Sequence, residues 1–375
     1  MPTSSLPSPI LVQRRSDLTP MADALSQAKA VAVDTESNSL YAYKESVCLI
    51  QFSIPGKDFL LDPLALPNLS SLQDFFANSK IEKVLHGAEY DIIVLKRDFG
   101  FQIHNLFDTR MAIRTLGGKE TSLEKLLAEK LDVSLNKRYQ RANWGKRPLK
   151  EEMMNYARMD THFLLPLREK LAQELHEAGR WEEAAEACVY ISQLEPPPND
   201  FNPQGFWNIH QARKLNPMQA AVLRELWSFR DQVAQKRNIP VFKVLNDVVL
   251  LAISQTMPQD HPSLSEVPGM TKNLLRRYAD QVLEVVERGI DAPPAHPPRN
   301  RRLPDAVIDR YERLRQWRKN EGKKRGVPSD IILPRDRLWD IALHPPEKLK
   351  QLGEILSPLE WRFRKYGSDI MALLE

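Results

Sequence analysis

Between residues 28 and 120 the apolar positions come in short, β-branched runs. Those near 30–34, 46–54, 58–62, 82–86 and 104–107 read as strands. Segments near 70–79, 89–99 and 108–116 instead space their apolar residues three and four apart, as a helix with one buried face does. The first three strands follow one another through short turns, which predicts antiparallel neighbours. The later ones alternate with helices, which predicts parallel pairing. Together they make a mixed sheet flanked by helices. From about residue 121 the pattern is helical: one helix opens at Ser122 and Glu124, and 149–175 reads as a single long helix carrying Tyr156 and Asp160.

Two proline clusters punctuate the remainder. Pro196-Pro197-Pro198 closes the α/β segment, and Pro293-Pro294-Ala295-His296-Pro297-Pro298 separates two further segments. Such runs cannot continue a helix and act as stiff spacers. Around the second lies an internal repeat at a constant offset. Leu226 matches Leu314, Phe229 matches Trp317, Arg230 matches Arg318, Arg237 matches Arg325, Pro240 matches Pro328, and Tyr278 matches Tyr366. Each copy has helical periodicity, which predicts two small all-α bundles. The expected layout is an α/β domain over 1–195, a linker over 196–214, one bundle over 215–291, a proline-rich linker over 292–302, and a second bundle over 303–375. With stiff spacers between them, the last bundle is expected to stand as an independent unit whose loss leaves the rest folded.

Composition narrows this picture without changing it. The chain has 375 residues, 42% of them hydrophobic, enough for two or three cored domains. A net charge of +4 permits a nucleic-acid partner without requiring one. Cys48 and Cys188 are far apart in apolar contexts and read as buried free thiols, which fits a reducing cytoplasm. No signal peptide is visible, and no apolar run is long enough to cross a membrane.

The candidate chemistry lies in the acids. Asp34 and Glu36 interrupt the apolar run Val31-Ala32-Val33; two apart on a strand, they share a face. Asp91 follows a second apolar segment at the start of a helix. Tyr156 and Asp160, four apart on a helix, also share a face. Read singly, each has a plain explanation: a solvated strand end, an acid at a helix N-terminus, a surface acid, a tyrosine packed on the sheet. Taken together, four converging carboxylates cannot all stay ionised without cations. Hard oxygen donors favour Mg²⁺ or Mn²⁺. Two such ions roughly 3.5–4 Å apart can hold the attacking and leaving oxygens of a phosphodiester cleavage.

Asp-x-Glu, a distant Asp and Tyr-x-x-x-Asp, in that order, resemble the 3′→5′ exonucleases named for those four acids, in the branch whose last motif carries a tyrosine. Trp144-Gly145-Lys146-Arg147-Pro148-Leu149 and Phe107-Asp108-Thr109-Arg110-Met111-Ala112 are similar to bacterial ribonuclease D. The C-terminal repeats resemble the HRDC domain shared by ribonuclease D and certain helicases. The resemblance covers all but about twenty N-terminal residues. It departs at Asn143 and Asn136, where the family usually or often has acids.

The resemblance implies a ribonuclease-H-like fold and a metal-dependent exoribonuclease. Its two divalent cations, Mg²⁺ or Mn²⁺, would be held by Asp34, Glu36, Asp91 and Asp160. Tyr156 would hold the attacking water; its ordinary pKa near 10 makes it a poor base at neutral pH. The implied partner is RNA with a free single-stranded 3′ end, tRNA precursors among them, and the enzyme acts as a monomer releasing 5′-mononucleotides. His86 reads as structural, and Asp108 as a helix cap that orients the site.

The main basic stretch, 299–337, holds thirteen Arg and Lys against six acids. Arg315, Lys319, Lys323 and Lys324 are its candidate phosphate contacts. Tyr311 and Trp317 suit a bundle core as well as base stacking. A DNA proofreading or repair exonuclease on the same fold, and a non-catalytic RNA-binding adaptor, are the competing readings.

Overall fold

The computed structural model describes residues 6–198, 200–298 and 303–374. The α/β segment begins with β1 (Ile10–Val12), α1 (Arg15–Ser26), β2 (Ala30–Ser37), β3 (Val47–Ile54) and β4 (Lys57–Leu61). It continues with α2 (Gln73–Ala77), β5 (Glu82–Leu85), α3 (Glu89–Phe99), β6 (Leu106–Asp108), α4 (Thr109–Leu116) and α5 (Leu123–Leu131). It ends with α6 (Glu151–His162), α7 (Leu164–Glu177) and α8 (Trp181–Ser192). The strands form one six-stranded sheet in the order β1-β4-β3-β2-β5-β6.

As expected, β2, β3 and β4 are antiparallel neighbours, while β5 lies parallel to β2 and β6 parallel to β5. β3 is buried along nearly its whole length because helices cover both faces of the sheet. On one face Val33, Ile50 and Phe52 meet Met21 and Leu25 of α1 and Ile92 and Leu95 of α3. On the other, Ala32, Val84 and Phe107 meet Leu164, Leu167 and Leu171 of α7. Leu49 and Leu60 join Trp144 and Ala157 there.

Two local expectations are corrected. β1, unforeseen, adds a parallel edge strand beside β4. The helix expected over 149–175 breaks at Phe163 into α6 and α7. Pro166 sits in the first turn of α7, where a missing N–H costs nothing, but it could not be tolerated deep inside one continuous helix.

The helical part runs through α9 (Pro217–Arg237), α10 (Asp247–Thr256), α11 (His261–Ser265) and α12 (Lys272–Asp291). A second set follows: α13 (Asp305–Arg325), α14 (Ser329–Ile332), α15 (Arg335–Leu343), α16 (Leu349–Leu356) and α17 (Glu360–Leu374). The repeat is carried into side-chain bonding. Arg230 and Arg318 each donate to the carbonyl of the matching leucine, Leu245 at 3.2 Å and Leu333 at 2.9 Å. Arg237 and Arg325 each donate to the hydroxyl of the matching tyrosine, Tyr278 and Tyr366. Asn238 and Gly326, also matched, both take the left-handed conformation that ends the long helix.

The compact units break at the proline spacers, but the last bundle does not stand apart. One comprises 1–37, 46–196 and 302–375, so the second bundle packs with the α/β segment. The other comprises 197–301 and the short segment 38–45. In this latter unit the Tyr43 hydroxyl donates to Asp231 at 2.8 Å and the Lys243 ammonium lies over the Tyr41 ring.

The expected independence of the last bundle is therefore corrected. Within the first unit, α8 presents Glu183 and Glu186, both buried. Arg325 grips Glu183 with two bonds of 2.7 and 2.5 Å, and the buried Arg362 donates to Glu186 at 2.6 Å. Acids three apart lie on one side of α8, so the bundle docks along a single helix face.

Candidate active site

β2 delivers Asp34 and Glu36 to one face at its C-terminal end, and α6 packs across that face with Tyr156 and Asp160 one turn apart. These four side chains line a cleft of about 470 Å³, with His86, Arg110, Lys137 and Gln140 on its other walls. Asp91, in the first turn of α3, sits just behind it. Thr35, on the opposite face of β2 from Asp34, donates its hydroxyl to Asp91 at 2.5 Å. All five predicted site residues are thus brought to one end of the sheet, from both of its faces.

Each is held by neighbours with a physical task. Tyr156 packs between Tyr139 and the buried Trp144. The Trp144–Leu149 segment is clamped by Arg147, which donates to Asp62 through two bonds of 2.6 and 2.7 Å and also to the Trp144 and Cys48 carbonyls. The same guanidinium therefore ties the loop that backs Tyr156 to the end of β4. Asp108 caps α4 through the Arg110 and Met111 N–H groups. It also accepts from Gly87 and Ala88, the turn that opens α3 and so places Asp91. His86 bonds the Thr109 hydroxyl at 2.9 Å, which fits its structural reading. Asn136 and Asn143 each accept from a backbone N–H two residues on, a local turn role that requires no charge.

The electrostatics are those of an anion cluster with no internal counter-charge. Among the described residues, no arginine or lysine is ion-paired with Asp34, Glu36, Asp91 or Asp160. Burial, then repulsion from the other acids, raises the Asp34 and Glu36 carboxyls well above the usual range. Burial pushes Asp91 up to about 7, against the Thr35 hydrogen bond, and Asp160 up to about 7. Burial and the nearby acids push the Tyr156 hydroxyl far above its ordinary value, which removes it as a base. Among the described residues, no three such side chains converge tightly enough to chelate one ion. Mutually repelling carboxylates behave so until cations draw them in. Four hard oxygen donors without a basic partner are a donor set that fits divalent cations.

The sign of this strain is testable. A carboxyl whose folded pKa lies above its unfolded value binds more protons in the native state, so stability falls as pH rises from about 4 through about 7. In EDTA, Asp160→Asn should therefore melt a few degrees above the wild type at pH 8, and the difference should vanish near pH 4. Equal melting temperatures at both pH values would show that Asp160 is not strained.

The basic face is less concentrated than its sequence suggests. Arg315, Lys319 and Lys323 lie exposed on one side of α13, but Arg315 pairs with Glu312 and Lys324 with Glu321. Arg318 and Arg325 turn inward. Tyr311 stacks on Trp339 and Trp317 meets Tyr366 edge-on, so these aromatics are core residues and not stacking platforms. Arg299–Arg302, part of the same stretch, lie outside the described residues.

Comparison with known proteins places these features. Residues 9–176 match the 3′-5′ exonuclease family, and residues 219–286 and 308–374 match the HRDC domain. The chain carries a 3′-5′ exonuclease domain followed by two HRDC domains. The exonuclease domain is ribonuclease-H-like, a mixed sheet flanked by helices. Among curated proteins, the Exosome complex component 10 homolog of Caenorhabditis elegans is 35% identical over 75% of this chain. The match covers 32% of that protein, and the chain spans between about a third and a half of the first relatives it matches. Among solved structures, the catalytic core of RRP6 from Trypanosoma brucei matches with a TM-score of 0.68 and 28% identity, covering 78% of this chain and 82% of that one. RNase D of Escherichia coli shares the fold over 98% of this chain and 99% of its own, with a TM-score of 0.69 at 23% identity. The sequence likeness thus runs to exosome-component proteins, while the likeness to the bacterial structure is one of fold over nearly the whole chain.

Proposed function

We propose that this chain is a metal-dependent 3′→5′ exoribonuclease that hydrolyses the terminal phosphodiester and releases 5′-mononucleotides. The observation that carries the reading is the cleft: Asp34, Glu36 and Asp160, with Asp91 just behind them, have no basic partner among the described residues and face a tyrosine whose hydroxyl stays protonated at neutral pH. RNA as substrate is supported by the likeness to RNase D of Escherichia coli, an exoribonuclease involved in structured RNA processing. The trimming of tRNA precursors and other small structured RNAs belongs to the same proposal, as does action by a single chain on a free, unpaired 3′ end.

Asp34, Glu36, Asp91 and Asp160 would hold two Mg²⁺ or Mn²⁺ ions. When bound, such ions activate water and stabilise the charge that develops on the scissile phosphate. The protein's own residues do the rest. The Tyr156 hydroxyl orients the attacking water, and its high pKa keeps its proton in place for that hydrogen bond. Thr35 fixes Asp91, and the Asp108 cap fixes the turn that carries it. Arg110, on the cleft wall, supplies positive charge toward the substrate backbone, whereas Lys137 there is paired with Glu124.

The deciding assay follows a labelled RNA with Mg²⁺, with Mn²⁺ and with EDTA, beside a DNA of the same sequence. Stepwise loss of 3′ nucleotides from RNA, abolished by EDTA, is the expected result. Preference for DNA would favour a proofreading or repair enzyme, and no release of nucleotides would leave an RNA-binding adaptor. A circular RNA should resist cleavage.

Two variants refine the assignment. Tyr156→Phe should lower turnover by roughly 10²-fold with cation binding intact, the magnitude of losing one positioned group. A defect that disappears at high Mn²⁺ would assign Tyr156 to cation binding. Lys319→Glu with Lys323→Glu should weaken RNA binding and flatten its salt dependence, measured by fluorescence anisotropy across a salt series. An unchanged salt slope would make that face of α13 merely solvated.

A further inference from the structure

Gln51 lies in the middle of β3 with no exposed surface, and neither its Nε2 nor its Oε1 has a hydrogen-bonding partner in the protein. A buried carboxamide left unpaired costs on the order of 1–3 kcal/mol for each unsatisfied group. Its place in the register is specific. In the antiparallel β2–β3 pair, Gln51 is directly opposite Asp34. Residues facing each other across such a pair project to the same side, with Cβ atoms about 5 Å apart. The side is that of α6: two residues on, Ser53 bonds Thr161 of α6 at 2.7 Å, and two residues back, Leu49 packs with Ala157. The amide is therefore enclosed between the strand that carries Asp34 and the helix that carries Tyr156 and Asp160.

We propose that Gln51 is a positioning residue for Asp34, donating its Nε2–H to one carboxylate oxygen and so fixing the direction in which Asp34 faces the divalent cations. The assignment rests on the reading of Asp34 as a cation ligand. A glutamine suits the position for three reasons. Its reach spans one cross-strand gap. Its uncharged amide adds no fifth anion to the cluster. A hydrogen bond to a ligating carboxylate sets the orientation of that ligand and tunes its affinity for the ion.

The test uses the full chain. Mn²⁺ binding to the apoprotein is measured by titration calorimetry for the wild type and for Gln51→Met, which keeps the volume and removes the donor. The expected loss of affinity is about 10–100-fold. Thermal unfolding in EDTA should show Gln51→Met as stable as the wild type or more so, since an unpaired amide is gone. A purely structural glutamine gives the opposite pattern, lower stability with unchanged Mn²⁺ affinity, and that result would overturn the proposal. A second readout needs no variant. The Gln51 side-chain amide resonance of the wild type should shift on adding Mg²⁺, and a resonance unmoved at saturation would also overturn it. Wild-type protein that bound no Mn²⁺ would overturn both this assignment and the cation reading; wild-type binding that ignored Gln51 would overturn this assignment alone.

Discussion

Asp34→Asn should reduce RNA hydrolysis on the order of 10³-fold or more while the chain stays folded. The substitution keeps the side chain's shape and removes one of the four charges that fit the cleft to cations. Removing a positioned transition-state group costs on the order of 4 kcal/mol, and each 1.4 kcal/mol is a tenfold change in rate. Nothing in the core depends on the lost charge, because no basic side chain pairs with Asp34 among the described residues. In EDTA the variant should even melt slightly higher at pH 8, since a buried charge is gone and with it the repulsion from Glu36, Asp91 and Asp160. Single-turnover cleavage of a short labelled RNA in saturating Mg²⁺, read beside a melting curve, checks both halves. A variant that keeps more than a tenth of wild-type turnover would remove Asp34 from the ligand set.

The second large effect concerns stability. Arg362→Ala should cost about 3–5 kcal/mol, the usual loss when one member of a buried ion pair is removed and the other is left uncompensated. Glu186 is that abandoned partner, and the Ile331 carbonyl, which accepts two Arg362 bonds, loses its donors as well. Replacing both charges, as in Arg362→Met with Glu186→Gln, should recover much of the loss, because neither site then holds a lone charge. Urea unfolding of the three chains measures the difference. A chain ending at residue 298 should fare worse than the point variant. It strips Glu183 and Glu186 of their arginines and exposes Met111 and Tyr190, which pack against the second bundle. Low soluble yield and a depressed melting temperature are expected. A truncated chain with the wild-type melting temperature would restore the independence that the proline spacer suggested.

What could be read in the sequence depended on how local the cause was. Asp34 with Glu36, and Tyr156 with Asp160, are periodicities within one element, so strand and helix geometry predict their shared faces. The pairing of β2, β3 and β4 followed from short turns. Pro166 was a legible signal for the break between α6 and α7, because proline belongs in a helix's first turn and not its interior. β1 gave little to read: three apolar residues near the N-terminus show no alternation, and their partner β4 lies some fifty residues on. Thr35 was hidden by its own strand, where it faces away from the acids it supports. Gln51 shows its relation to Asp34 only once the register is known. Docking through Glu183 and Glu186 was the least legible, since their arginines are more than 140 residues away in sequence. Three acids in the helix Trp181–Ser192, Glu182, Glu183 and Glu186, were its only local trace.

The matched Arg–Tyr bonds of the two bundles have a consequence for modularity. Arg237 and Arg325 perform the same task inside their own copies, yet only Arg325 also reaches a carboxylate of α8. The other half of that attachment, Arg362, falls opposite Leu274 in the first copy. The duplicated modules have the same framework but different attachments, so they are not interchangeable parts. A chimera carrying the first bundle twice would fold each copy, leave Glu186 without a mate, and behave as a tethered passenger where the native chain has a brace.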